Sequence, residues 1–158
     1  CRFYEGLVRV PLIFSWPGEI KTNLQSDALV ELMDIAPTLL DAATIAKPSH
    51  MQSQSLWPLL TGKADPHFHK SFVRSEYFDA LKEDNGTRAT MYRDNQYKLV
   101  VYHGHDLGEL YDLNVDPGEF NDLWNDPNAS DVKNRLIRQS FDATMLAQDL
   151  GPPRIGPM

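Results

Sequence analysis

A small set of side chains has the types and spacing for chemistry. His103 and His105 stand in YHGHDLGELYDL, on a glycine-containing loop after a strand-like stretch. Loops at strand ends concentrate binding groups, and imidazole suits contact with an anion near neutral pH. A variable surface loop accounts for the same pair. His67 and His69, in HFH, are two apart, so alternation puts them on one side of an extended segment. A metal there needs a third ligand, and none is identifiable, which leaves a solvated linker pair. Glu5 and Arg9 flank the first apolar run and can form a buried ion pair that supports the preceding loop. Glu76 and Tyr77, in SEY, can face an organic substrate or act as cross-strand partners on a small sheet; the second reading is the simpler. Cys1 has no base beside it in sequence and reads as an incidental thiol. The residues thus nominate no catalytic group and no metal ligand within the chain.

The elements that must position these groups begin with LVRVPLIF, residues 7–14, closed by the turn signal Trp16-Pro17-Gly18. The run VPLIF predicts a strand buried on both faces, as in an α/β sheet. Pro11 belongs near its start or at a sheet edge, because proline cannot donate to a ladder. A helix is predicted from Ile35 to Ala43, with Asp34 as N-cap and Leu39, Leu40 and Ala43 facing inward. SLWPLLTG reads as one or two helical turns stopped by Gly62. Four strands follow, at 71–78, 87–94, 96–103 and 109–113, and the tight Asp94-Asn95 turn makes the middle two an antiparallel hairpin. A last helix runs from Ser130, as N-cap, to about Gln148, with Val132, Leu136, Ile137, Phe141 and Met145 at helical spacing; the tail GPPRIGPM reads as irregular. The fold class is α/β in the sense of an α+β fragment. Residues 1–66 form the end of a larger α/β domain, and residues 67–158 a small four-stranded antiparallel sheet packed against a C-terminal helix. One buried strand without neighbours implies a missing partner, and its unpaired backbone predicts self-association of the isolated chain.

Composition narrows the function. The chain has 158 residues, 42 % of them hydrophobic, which fits one ordinary domain or two small lobes and argues against disorder. A net charge of −7 disfavours non-specific binding to nucleic acid. No apolar run approaches the roughly 18 residues that span a bilayer, so no membrane partner is expected. A single cysteine excludes an intramolecular disulfide and leaves the compartment open.

Taken in order, FYEGLVRVPLIFSWPG, DIAPTLLD, SLWPLLTG, SEY, YKLV and LYDLNVDPGEFNDL resemble the C-terminal third of the type I sulfatases, in the alkaline phosphatase superfamily. Two turns depart from the family pattern: Ser53 stands where relatives carry Gly, and Ala43-Thr44-Ile45 replaces the usual A-G-I. The resemblance implies that residues 1–66 close a large alkaline-phosphatase-like domain. It implies hydrolysis of sulfate esters by a formylglycine nucleophile beside Ca²⁺ or Mg²⁺, with nucleophile and metal ligands missing from this chain. Cys1-Arg2-Phe3-Tyr4-Glu5 is not the C-x-[PA]-S-R maturation motif, so no cofactor is expected here and the chain alone is expected to be inactive. In relatives a sulfate-contacting Lys precedes the Tyr of Y-E-G by four residues, which here falls just before Cys1. His105 stands where some relatives send a His toward the substrate pocket. The implied partners are a missing N-terminal catalytic portion and, in the parent, a small sulfated substrate. The alternatives are a non-catalytic binding module, or a fragment of a related phosphodiesterase or phosphonate monoester hydrolase.

Overall fold

The strand-forming stretches of the second half build a meander. A computed structural model describes residues 2–79 and 86–148; Cys1 and the GPPRIGPM tail lie outside them. Strands β1 (Val73–Phe78), β2 (Arg88–Arg93), β3 (Tyr97–Tyr102) and β4 (Leu107–Asp112) form one sheet in the order β1-β2-β3-β4. Every pairing is antiparallel. The β2–β3 turn closes as its residues predict: Asp94 Oδ1 accepts from the N–H of Gln96 and of Tyr97. Period-two alternation then splits the strands cleanly. Ala89, Met91, Val100 and Tyr102 point to one side, and Tyr92, Leu99 and Leu110 to the other.

The second side is covered by helix α4 (Ser130–Leu146), whose Leu136 and Ala143 complete a dry core. Ser130 is not the cap expected of it. A 3₁₀ turn, Pro127–Ala129, precedes the helix, and the Asp126 side chain accepts from the Asn128 N–H there. Only part of the predicted inner stripe faces the sheet: Leu136 is buried and Val132 packs against the core, whereas Ile137, Phe141 and Met145 are exposed. Trp124 lies on Gly108 so closely that a Cβ there would come within 2.2 Å of its ring, which is why β4 has no side chain at that position.

The first 66 residues hold helical turns and loops. They comprise α1 (Glu5–Val8), a 3₁₀ turn (Leu32–Asp34), α2 (Ile35–Ala42) and α3 (Trp57–Leu60). The strand expected at VPLIF is absent. Val10, Leu12 and Ile13 are exposed in irregular backbone, Ile13 at 87 %. The reason is physical: a strand exists by virtue of its ladder, and no described segment runs alongside this one. The inner side of α2 also differs from expectation. Pro37 and Thr38 are buried, while Leu39 and Ala43 lie open. After α2, Thr44 takes φ 58, a left-handed conformation that disfavours a β-branched residue, and this is the turn where the sulfatase pattern carries Gly. Gly62, after α3, has φ 73 and ends that helix as predicted.

Candidate functional site

The sheet side opposite α4 is where the charge is. The N-terminal segment crosses it, with Phe3 and Val8 packed on Ala89, Met91, Val100 and Tyr102. Lys98, the second residue of β3, is wholly buried, at 0 % exposure. Lysine is almost never buried without partners, and here the partners are explicit. Its Nζ donates to the Phe3 carbonyl at 2.8 Å and to Glu119 Oε1 at 2.8 Å, and sits 2.6 Å from Glu5 Oε1. Glu119 Oε2 in turn accepts from the Glu5 backbone N–H at 2.6 Å. Arg93, directly opposite Lys98 on β2, approaches Glu5 Oε1 at 3.3 Å. Two acids, two bases and two backbone groups of the N-terminal segment thus close one cluster. Glu119 occupies the left-handed region at φ 57, a position that costs a non-glycine residue about 1 kcal/mol, and its two charge-assisted bonds offset that cost.

A second group lies further along the same side. Glu109 is buried and accepts from Arg2 and from the Tyr102 hydroxyl, the latter at 2.9 Å; the Tyr111 hydroxyl is 3.3 Å from its other oxygen. Burial, with the Glu109 carboxylate beside it, pushes the Tyr102 phenol up to about 12. Tyr111 is raised for the same reasons, burial first. Glu109 raises Arg2 above its ordinary value through their hydrogen bond. Residues 2–5 are therefore gripped at both ends, at Arg2 by Glu109 and at Phe3–Glu5 by Lys98 and Glu119.

Glu5 therefore lies in this cluster, with Lys98 and Arg93 as its partners. Arg9 lies exposed beyond α1, away from that cluster. His103 Nε2 is 2.9 Å from Thr90 Oγ1, and the His103 N–H donates to the Arg88 carbonyl. His105 is exposed in the same β3–β4 loop, its N–H donating to the Tyr102 carbonyl. The loop thus begins at Tyr102, the residue whose hydroxyl accepts from Arg2. Glu76 and Tyr77 pair across the sheet with Thr90 and Ala89, and Arg74 bonds Glu76.

HFH divides. His67 is exposed and held above its ordinary value by its bond to Asp27. His69 is not solvated: its side chain is 7 % exposed, and burial pulls it below its ordinary value. Its Nε2 lies 3.4 Å from Asp34 Oδ2 without a hydrogen bond. Asp34, fully buried, accepts from the N–H of Glu31 and of Gln54 and from Lys70 Nζ, which also binds Glu31. Glu31 Oε1 accepts from the Arg74 N–H, so this cluster ties the 31–34 turn to the edge of β1. Among the described residues no group of three or more His, Cys, Asp or Glu is placed to hold a metal ion. The buried acids here spend their oxygens on Lys, Arg and backbone N–H.

Sequence reasoning missed Lys98, Glu119, Arg2, Glu109 and Lys70, and took the buried His69 for a solvated one. One signal was available: a lysine inside an apolar strand, YKLVVY, reads as an alternation error unless acids meet it. An open cavity of about 1410 Å³ adjoins the cluster, lined by Glu5, Val10, Trp16, Met33, Leu60 and Arg93 among others.

Comparison with known proteins places this arrangement. Residues 2–145 match the family described as N-sulphoglucosamine sulphohydrolase, C-terminal. The N-acetylglucosamine-6-O-sulfatase of Bacteroides thetaiotaomicron is 35 % identical over 77 % of this chain and 22 % of its own length. Arylsulfatase K of Mus musculus is 37 % identical over 76 % of this chain and 22 % of its own. A sulfatase crystal structure from Bacteroides thetaiotaomicron superposes with a TM-score of 0.64 at 33 % identity, covering 73 % of this chain and 25 % of that one. The chain spans about a fifth of the length of the curated relatives it matches. It belongs to the sulfatases, as a member of the N-sulphoglucosamine sulphohydrolase C-terminal family.

Proposed function

From that membership we propose that the chain serves a sulfuric ester hydrolase as its C-terminal domain and is inactive alone. The substrate class is a small sulfated carbohydrate, in keeping with the N-acetylglucosamine-6-O-sulfatase relative. The observation that carries this reading is the two-ended grip on residues 2–5. Lys98 and Glu119 come from YKLV and DPGEF, two of the segments that carry the sulfatase resemblance, and they hold the backbone that follows directly on the position of the family's sulfate-contacting Lys. A buried cluster of fixed charges is a means of holding such a residue to within fractions of an ångström, and misplacement of that size is costly to a reaction.

In this reading the nucleophile, a formylglycine, and a Ca²⁺ or Mg²⁺ ion belong to an N-terminal catalytic portion that docks over the cavity beside Val10, Trp16 and Met33. When bound, they supply a covalent sulfate acceptor and charge neutralisation. This chain's residues position. Lys98 and Glu119 anchor the segment, Arg2 and Glu109 set its direction, and the loop bearing His103 and His105 stands at the same end of β3, where His105 can meet sulfate oxygens.

The test compares the chain alone with the chain joined to its upstream reading frame. The joined protein is expected to release sulfate from glucosamine 6-sulfate, and the chain alone is expected to release none. Turnover by the chain alone that is lost in Cys1→Ala would overturn the reading, as would an upstream frame without a C-x-[PA]-S-R motif.

A further inference from the structure

The outer side of α4 carries an apolar stripe that the fold leaves unused. Ile137, Phe141 and Met145 follow one another at four-residue spacing and are 39 %, 63 % and 46 % exposed. They lie on one strip of the helix, turned away from Leu136 and Ala143, which face the sheet. A surface helix normally gives that side to polar residues. Two charged residues border the strip on the same flank, Arg138 and Asp142, one helical turn apart. Neither side chain makes an ion pair or hydrogen bond among the described residues, although the neighbouring Lys133 and Arg135 side chains bond Trp124 and Gln139.

We propose that this strip is a self-docking surface, on which α4 of a second copy of the chain packs antiparallel across Phe141. The charges single out that occupant. A two-fold axis through the strip brings like flank to like flank. Arg138 of one copy then faces Asp142 of the other, and Asp142 faces Arg138, so one helix supplies both halves of two identical ion pairs. A parallel arrangement carries the two Arg138–Asp142 flanks to opposite sides of the contact and gains nothing from either charge. The stripe has the length of two helical turns, enough for Phe141 to pack against its own counterpart with Ile137 opposite Met145. The inference is independent of the sulfatase reading. It also differs from pairing through VPLIF, because it uses a helix already formed and does not require a strand to form.

Sedimentation equilibrium of the whole chain at micromolar concentration tests it. The wild type is expected to dimerise. Phe141→Asp should abolish the dimer, and Arg138→Asp should weaken it roughly tenfold or more by setting acid against acid. The double variant Arg138→Asp with Asp142→Arg should recover wild-type association, since the exchange restores both pairs. Circular dichroism of each variant checks that the fold is kept, as the positions are exposed. A monomeric wild type would overturn the proposal. So would an Arg138→Asp variant that associates as before, or a double variant that fails to recover; association lost only on Ile13→Asp would assign it to VPLIF.

Discussion

The two sides of the sheet solve the same problem by opposite means. Under α4 the contact is dry: Tyr92, Leu99 and Leu110 meet Leu136 and Ala143, and Phe72 stacks on Tyr92 with ring centroids 5.0 Å apart. Under the N-terminal segment, Lys98, Glu5, Glu119, Arg93 and Glu109 share the space with Phe3, Met91 and Val100. Apolar contact stabilises a surface without specifying position closely, because dispersion and the hydrophobic effect are non-directional. Charge-assisted bonds desolvate expensively, yet they fix where a backbone atom sits. The α4 side therefore holds the domain together, and the other side holds a short segment in one place.

Three measurements press on that difference. The largest effect is expected from Lys98→Met, which leaves Glu119 buried without its cation and Glu5 with Arg93 alone, and should cost about 3–5 kcal/mol. Denaturant unfolding gives the magnitude. Hydrogen exchange gives the distinction: Phe3, Tyr4 and Glu5 amides should lose protection while α4 keeps its own. If α4 loosens in proportion, the charged side is ordinary core and the contrast fails. Leu136→Ala comes next, at about 2–5 kcal/mol for a cavity beneath the helix, with Leu136 itself at 0 % exposure. Here protection should fall across α4 and the sheet together.

The smallest effect concerns pH and the Asp34 cluster, a charged contact away from either side of the sheet. His69 is held below its ordinary value of 6.5 in the fold, so the unfolded chain binds that proton more tightly. Stability from this group is therefore complete above about 6.5 and declines as pH falls below it, until the lowered folded value is passed, with a slope of at most about 1.4 kcal/mol per pH unit. His69→Gln should flatten that acid limb, as read by unfolding midpoints from pH 7 downward. An unchanged limb would show that His69 is not the titrating group.

How much of this was legible in the sequence follows from range. The four strands, the Asp94 turn and the Gly62 stop are local, written in alternation and turn chemistry, and they stand where those rules put them. Asp34 was legible as a residue at a helix start, but its carboxylate serves Gln54 and Lys70, twenty and thirty-six residues away. Lys98 was only half legible: its place in the apolar run YKLVVY hints at burial, but its partners Glu5 and Glu119 lie far off in both directions and nothing local names them. VPLIF, Leu39 and the Phe141 strip show a different limit. Apolar pattern reports which residues seek cover, and not whether this polypeptide provides it.

The placement of Lys98 also sets the alignment of the meander. Side chains on β3 alternate, so a slip of one residue would turn the ammonium into the apolar layer beneath α4 and press Leu99 among the carboxylates. A misaligned β3 would carry an uncompensated cation in oil on one side and two stranded anions on the other. The lysine acts as a key cut for a single notch, and the hairpin can close only where it turns.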